Sequence, residues 1–219
     1  MKKKGGTVLP DSNGSVDEIL VVTDRVLLED STKKVIYNTF SAPFDVLPQF
    51  EPRLITRFIS YNKMTDLLTR FRTMVVVADL STEGKAAQFI RENVPAEILE
   101  EDVRHYYIKK NAWASPQLIV MVFADDRKRL WDVLQTQGDY LTEIIQKYQE
   151  PFLKDILFAG DHNFKLEKKL KEKYQIDIAI PEKYVLAEEK ENFIWIRKET
   201  QVSSENLMIS IKPYGFEKD

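Results

Sequence analysis

Short apolar runs recur along the first half of the chain, and each has the length of a strand. Three valines stand side by side at 75–77, which is typical of a strand with both faces covered. The segments predicted as strands are Glu18–Thr23, Arg53–Tyr61, Met74–Leu80, Val103–Asn111 and Gln117–Ala124. The segments predicted as helices between them are about 25–40, 65–72 and 81–92.

Later in the chain, apolar residues recur every three or four positions from Leu130 to Tyr148, as in an amphipathic helix. Pro151 should interrupt this helix because proline lacks the backbone N–H. A second helical stretch should carry Phe152, Ile156, Phe164, Leu166 and Leu170, with Gly160-Asp161 as a candidate break within it. Strand patterns then follow one another to the end of the sequence. They cover Ile176–Ile180, Tyr184–Ala187, Asn192–Glu199 and Leu207–Ile211.

This order of elements predicts an α/β (α+β) protein. We expect an N-terminal mixed sheet with flanking helices and a long helical segment, followed by a short antiparallel β region. The predicted organisation is a flexible leader at 1–8, an α/β domain at 9–173 and an antiparallel β domain at 174–219.

Composition excludes several classes of function. The net charge is −3 and the two signs are mixed along the chain, which disfavours a nucleic-acid partner. The chain contains no cysteine, so thiolate nucleophiles, thiolate metal sites and disulfides are ruled out. Its apolar runs are far shorter than the ~20 residues that span a bilayer, and we expect a soluble chain.

No catalytic motif is recognisable. His105 and His162 do not form a metal-binding spacing, no glycine-rich phosphate loop or nucleophile elbow occurs, and no cofactor or metal is predicted. An enzyme or small-ligand binder would need a site built from distant residues at the carboxyl ends of the strands. The candidates are Asp24, Asp79 and Asp125, whose ordinary role would be to cap helices.

Two aromatic regions are candidates for partner binding. A proline-spaced loop at 42–52 carries Phe44, Leu47 and Phe50, and we expect it to pack on the body as an ordered loop. Trp113 lies in a short segment between two strands. In Phe193–Arg197, alternation places Phe193 and Trp195 on one strand face; core packing is the ordinary role for both tryptophans, and a partner surface is the alternative.

Several segments in order resemble a family of bacterial envelope lipoproteins, domain of unknown function 4837. They are Leu9–Gly14 before Glu18–Val22, Ala42–Pro52, Trp113–Gln117, Lys168–Tyr174 and Asn192–Glu199, and the resemblance runs from about Leu9 to Ile211. It implies a signal peptide, a lipidated N-terminal cysteine and a body facing the periplasm or cell surface. This sequence has neither the signal nor the cysteine, and a chain beginning just after that cysteine would start in this way. The resemblance also implies that the second domain continues beyond residue 219.

The resemblance brings no catalytic residues and no cofactor. Together with the absence of catalytic motifs, it favours a non-catalytic envelope module that binds a protein partner or helps to assemble a complex. Membrane association would come only through the missing lipid anchor. The alternative remains an enzyme or small-ligand binder with a site at the carboxyl ends of the sheet strands.

Overall fold

The computed structural model describes residues 8–43, 51–201 and 203–212. Almost all of the predicted leader lies outside these ranges. The chain forms two compact units, one ending at Pro151 and the other beginning at Phe152. Within the described ranges, no helix combines the length and apolar character needed to cross a membrane.

The N-terminal unit is built on a five-stranded sheet in the order β2-β1-β3-β5-β4. The first four strands in this order are parallel, and β4 pairs antiparallel with β5. The strands are β1 (Glu18–Thr23), β2 (Ile55–Ser60), β3 (Thr73–Asp79), β4 (Tyr106–Lys110) and β5 (Leu118–Ala124).

Helices cover both faces of this sheet, which explains the continuous apolar runs in its central strands. The helices of this part of the chain are α1 (Arg25–Leu28), α2 (Thr32–Phe40), α3 (Asp66–Thr69), α4 (Lys85–Asn93), α5 (Ala96–Leu99) and α6 (Arg127–Leu157). Val75 and Val77 of β3 pack with residues of α2 and α6. Val76 of the same strand packs with α4 on the other face. Every residue of β3 is buried, so the prediction from the valine run is confirmed.

The helix predicted over 25–40 is instead two helices, α1 and α2. A turn at Glu29–Ser31 separates them, and the Asp30 carboxylate accepts a hydrogen bond of 2.7 Å from the backbone N–H of Thr32. This side chain supplies an acceptor for a free N–H at a helix start, so the chain begins a new helix there.

The prediction that Pro151 interrupts the long helix is wrong, because α6 continues through it to Leu157. Proline removes one backbone hydrogen bond, which would have gone to the carbonyl of Lys147. Pro151 lies on the exposed side of the helix, where water can bond to the carbonyl that has lost its partner.

The C-terminal unit contains α7 (Phe164–Tyr174) and an antiparallel sheet of β6 (Val185–Lys190), β7 (Phe193–Glu199) and β8 (Ser204–Ser210) in the order β6-β7-β8. Helix α7 covers one face of this sheet. The buried residues of this core are Leu166, Leu170, Ile180, Ile194 and Ile196.

The strand predicted at Ile176–Ile180 is not formed. This segment is an extended connection between α7 and β6, and the backbone N–H of Ile180 donates to the Glu167 carboxylate at 2.7 Å. The alternating pattern reflects burial of Ile180 against α7, not pairing in a sheet.

The predicted fold class is confirmed: a mixed sheet with helices, a long helix and then an antiparallel sheet. The two units divide at residue 151. The boundary predicted from sequence lies later, at 173, because it was placed where helices give way to strands. Helix α7 lies between these two points. It packs on the C-terminal sheet, so the change in element type and the change in packing partner occur at different residues.

Candidate functional site

The carboxyl ends of β1, β3 and β5 lie side by side at one edge of the N-terminal sheet, with Thr23 paired to Val77 and Asp79 to Ala124. Successive strands β2 and β3 lie on opposite sides of β1. Open α/β sheets bind ligands at such a switch in strand order. The aspartates predicted from sequence stand at or just after the ends of these three strands, so the fold brings them to the same edge.

Asp24 caps a helix that lies about 60 residues further along the chain. Its carboxylate oxygens accept from the backbone N–H groups of Ala86, at 3.0 Å, and Ala87, at 3.4 Å. These donors belong to the first turn of α4, where helix N–H groups lack internal partners. Asp24 is only 7% exposed, and its negative charge meets the positive end of the helix dipole.

Asp79 is also engaged by its surroundings. One carboxylate oxygen accepts from the backbone N–H of Ser81, at 2.9 Å, and from the Ser81 hydroxyl, at 2.6 Å. The other oxygen lies 3.9 Å from Nε of Arg127, whose Nη1 lies 2.7 Å from the Asp30 carboxylate. Asp79 therefore stabilises the turn after β3, and the Arg127 guanidinium lies between the carboxylates of Asp79 and Asp30.

Asp125 is exposed, and the neighbouring Asp126 caps α6 by accepting from the N–H of Arg129 at 2.8 Å. All three strand-end aspartates thus reach one edge, but two of them hold local structure and the third faces solvent. Within the described ranges, no group of three or more acidic or histidine side chains could hold a metal ion.

A cavity of about 510 Å³ lies beside the carboxyl end of β2 and is lined by other residues. Phe58 and Ile59 supply apolar walls. Arg25, Glu29 and Lys63 supply charge, with an Arg25–Glu29 ion pair of 2.5 Å on α1. This size is within the range of small-molecule pockets.

The two predicted aromatic contact regions differ in what the structure describes. Phe44, Leu47 and Phe50 lie outside the described residues. Trp113 is half-buried, and its ring centroid lies 5.6 Å from that of Phe89 on α4. Packing of this ring against a helix of the core is the role that this contact supports.

The two faces of β7 are used differently, as the alternation indicates. Ile194 and Ile196 are fully buried against α7. Trp195 lies on the other face; its indole N–H donates to the Asn206 side chain at 2.9 Å, and the Arg197 guanidinium lies 5.6 Å from its ring centroid. Met208, paired with Trp195, is 61% exposed.

An apolar groove of about 430 Å³ borders β8 and was missed at the level of sequence. Leu157, Phe158 and Ile180 form walls of the groove, and Leu207 and Tyr184 line its sheet side. Its residues come from four separate segments of sequence, so no local pattern reveals it. The sequence does contain the uncharged run Asn206–Ser210 in β8 beside the groove. This run indicates an unprotected sheet edge only when the strand order is known.

The Tyr184 hydroxyl at this groove donates to the Glu205 carboxylate. Burial, together with this hydrogen bond, raises the pKa of Tyr184 to about 12. Lys198 also donates to Glu205, at 2.7 Å, and the two donors lower the pKa of Glu205. The acidic group at the groove is therefore already satisfied within the chain.

The lysine-rich helix α7 is a network of ion pairs, not a free basic patch. Lys169 and Lys173 both donate to Glu189 of β6, and the Tyr174 hydroxyl donates to the same carboxylate at 2.8 Å. These three donors lower the pKa of Glu189 to about 2. Lys171 pairs with Asp177 at 2.8 Å.

Acid should loosen the contact between α7 and β6. Because the pKa of Glu189 in the folded state lies below its ordinary 4.5, its contribution is complete above pH 4.5 and is lost as the pH falls to about 2. The protection factors of β7 amides, which are corrected for the pH dependence of intrinsic exchange, should therefore fall over this range more in the native chain than in Glu189→Gln. The exposed neighbour Glu191→Gln is the control and should behave as the native chain. An equal fall in protection in all three would contradict the prediction.

Both histidines have structural partners. His105 is buried, with Nε2 3.2 Å from the Arg129 guanidinium and 3.0 Å from the Asp102 carbonyl. His162 stacks with the rings of Phe158 and Phe164, and its Nδ1 lies 2.9 Å from the Glu167 carboxylate. The contacts of His162 connect the residue after α6 to the first turn of α7 within the C-terminal unit.

Two family models match consecutive parts of the chain. Residues 12–156 match a domain of unknown function, DUF8532, and residues 163–218 match a second one, DUF4837. The expected resemblance to DUF4837 is thus shown for the C-terminal part alone, and a different family accounts for the rest. No curated protein and no solved structure matches the chain significantly. Because the first match covers well over half of its length, the chain belongs to the DUF8532 family, with a DUF4837 segment following at residues 163–218.

Proposed function

We propose that this chain is a non-catalytic protein-binding module of the bacterial cell envelope, and that it binds by accepting a strand of its partner at the free edge of β8. The proposed location in the envelope is supported by the DUF4837 match of residues 163–218 and by the lipoprotein character that the resemblance implies. In this proposal a lipid at the N-terminus anchors the body at the periplasmic or cell-surface side.

The observation that carries the binding proposal is the contrast between β8 and the other edge strands. Sheet edges present unpaired backbone groups, and natural proteins protect them with charges, prolines or bulges. β6 has a bulge and the charged run Glu188–Glu191. In the five-stranded sheet, edge strand β4 ends in Lys109 and Lys110, and edge strand β2 carries one charge, Arg57. β8 also carries one, Glu205, but its carboxylate is held by Lys198 and Tyr184, and the run Asn206–Ser210 has no charge, proline or bulge.

The backbone of β8 has donors and acceptors directed away from β7. The N–H of Ile211 bonds to the carbonyl of Asn192, and that of Thr200 bonds to the carbonyl of Ser203. Bonded and non-bonded pairs alternate in an antiparallel ladder. Pairs with β7 are therefore bonded at Glu205, Leu207 and Ile209, and the backbone groups of the residues between them face the free edge. These residues are Ser204, Asn206, Met208 and Ser210.

No strand within residues 8–43, 51–201 and 203–212 pairs with this edge of β8. Strand addition to such an edge gains main-chain hydrogen bonds, and pockets beside the edge select side chains. The apolar groove bordering Glu205 and Leu207 is a pocket of this kind. The roles of Asp24 and Asp79 in holding local structure support the non-catalytic part of the proposal.

A photo-crosslinking amino acid at position 208 tests the proposal in cells. Met208 and Val185 are both apolar and exposed, at 61% and 55%, but lie on opposite edges of the same sheet. We expect a discrete crosslinked product from position 208 and none from position 185. Equal products from both positions would point to binding by the whole outward face, and no product from either would reject strand addition.

The alternative function is small-ligand binding, and the cavity beside β2 supports it. Its rim has charges of both signs, from Arg25, Glu29 and Lys63, around the apolar wall of Phe58. Asn62 also lines this cavity, and tryptophan at this position would fill part of it. A small molecule that co-purifies with the chain and is lost from the variant Asn62→Trp would favour this function.

A further inference from the structure

We infer that the strand accepted by β8 is β8 of a second copy of this chain, so that two copies join their sheets into one antiparallel sheet of six strands about a two-fold axis. This inference rests on the proposed function, because it names the partner of the same edge. Two-fold dimers are the commonest soluble oligomers, and their interfaces are self-complementary.

The edge of β8 is self-complementary in its backbone. When Leu207 lies opposite the partner's Leu207, Asn206 lies opposite the partner's Met208 and Ser204 opposite the partner's Ser210. The four residues whose backbone groups face the free edge then pair only with one another. This register pairs every edge-facing N–H and C=O between Ser204 and Ser210 on both copies. One of these acceptors, the Ser204 carbonyl, also accepts from Nδ2 of Asn206 at 3.3 Å.

The charges of β8 also permit self-pairing. Glu205 is its one charged residue, and in this register it lies opposite the partner's Ile209. Its carboxylate is already held by Lys198 and Tyr184 within its own chain. Like charges directly opposite each other destabilise a strand pair, and this register contains none. The charged run and bulge of β6 make that edge unsuitable for the same pairing.

The apolar groove provides space for side chains of an added strand. Leu207 and Ile209 point to the side of the sheet that α7 covers, since both pack against its core. In the second copy the same two side chains would lie beside Glu205 and Leu207, at the border of the groove. Their burial against Leu157 and Phe158 would add apolar contact to the backbone bonds.

Analytical ultracentrifugation of three proteins tests the pairing. We expect the native chain to dimerise in the micromolar range and Met208→Pro to be monomeric. Proline at position 208 removes an N–H that faces the free edge, so the ladder with β7 keeps its bonds. Met208→Val retains the N–H and should still dimerise. A monomeric Met208→Val, or a dimeric Met208→Pro, would overturn pairing through the backbone of β8.

The absence of cysteine from the sequence makes a second test possible. A single cysteine at position 207 would face its counterpart at about 4.5 Å between Cα atoms in a non-bonded pair, a separation that a disulfide can bridge. Leu207→Cys should form disulfide-linked dimers under mild oxidation, and the exposed control Lys165→Cys should not. Equal crosslinking of the two, or none at 207, would reject the register.

These tests separate the two proposals. A native chain that is monomeric throughout, while the probe at position 208 captures a different protein, would reject the second copy as partner and keep strand addition. A native dimer that Met208→Pro dissociates, with a crosslinked product of twice the chain mass, would support both.

Discussion

Gly84→Ala should destabilise the N-terminal unit by about 2–4 kcal/mol, from forced overpacking and loss of a helix cap. A Cβ atom at this position would lie 2.0 Å from Oδ2 and 2.2 Å from Cγ of Asp24. The carboxylate is buried and accepts from Ala86 and Ala87 at the start of α4. It would have to leave these donors to make room for the methyl group.

A double-mutant cycle identifies the cause. Asp24→Ala alone should cost about 0.5–2 kcal/mol, the usual range for a lost N-cap. In that background Gly84→Ala should cost much less than in the native chain, because the atoms that it meets are gone. Urea denaturation followed by tryptophan fluorescence would measure this in a Trp195→Phe background, which leaves Trp113 and Trp131 as probes. Strictly additive costs would show that the methyl group acts elsewhere.

Gly160→Ala, in the C-terminal unit, shows the cost of the same exchange where space is open, and it is measured with Trp195 retained as the probe of that unit. A Cβ atom there would meet only the Glu182 carboxylate, at 3.4 Å, which is ordinary van der Waals contact. We expect a change in the free energy of unfolding within about 0.5 kcal/mol, as for most surface substitutions.

Ile196→Ala should unfold much of the C-terminal unit and leave the N-terminal unit folded. Ile196 is fully buried, in a core of five buried residues. Truncating a buried isoleucine costs about 2–5 kcal/mol. A unit of this size has little stability to lose, because small domains bury a smaller fraction of their surface.

Hydrogen exchange would measure the effect of Ile196→Ala in both units at once. Amides of β7 should lose protection, whereas those of β3 should keep theirs, since the two strands belong to separate units. Val185→Ala, on the exposed face of the same sheet, serves as the control and should change little. Parallel loss of protection in β3 and β7 would show that the units unfold together.

The proposed binding edge lies on the unit that this second substitution is expected to unfold. Ile196→Ala should therefore abolish both dimerisation and crosslinking from position 208 through loss of the sheet itself. Met208→Pro differs from it because the N–H that it removes faces away from β7. A comparison of the two variants distinguishes loss of the edge from loss of the fold.

Local patterns in the sequence determined most of the elements and both layers of the N-terminal unit. Continuous apolar runs of strand length identified β1, β3 and β5 as strands. The uninterrupted valines of β3 also indicated that both faces of this strand are covered. Alternation assigned the two faces of β7 from Phe193 to Arg197, because the side-chain period of a strand is set by the backbone alone.

Features that depend on contacts between distant residues were decided only by the tertiary structure. Asp24 caps α4 across more than 60 positions of sequence, and Pro151 is accommodated because its side of α6 faces solvent. Ile176–Ile180 alternates like a strand, but no neighbouring strand pairs with it within the described ranges. Strand order, which no local pattern encodes, left β8 as an edge and brought four segments together around its groove, because long-range packing sets which elements become neighbours.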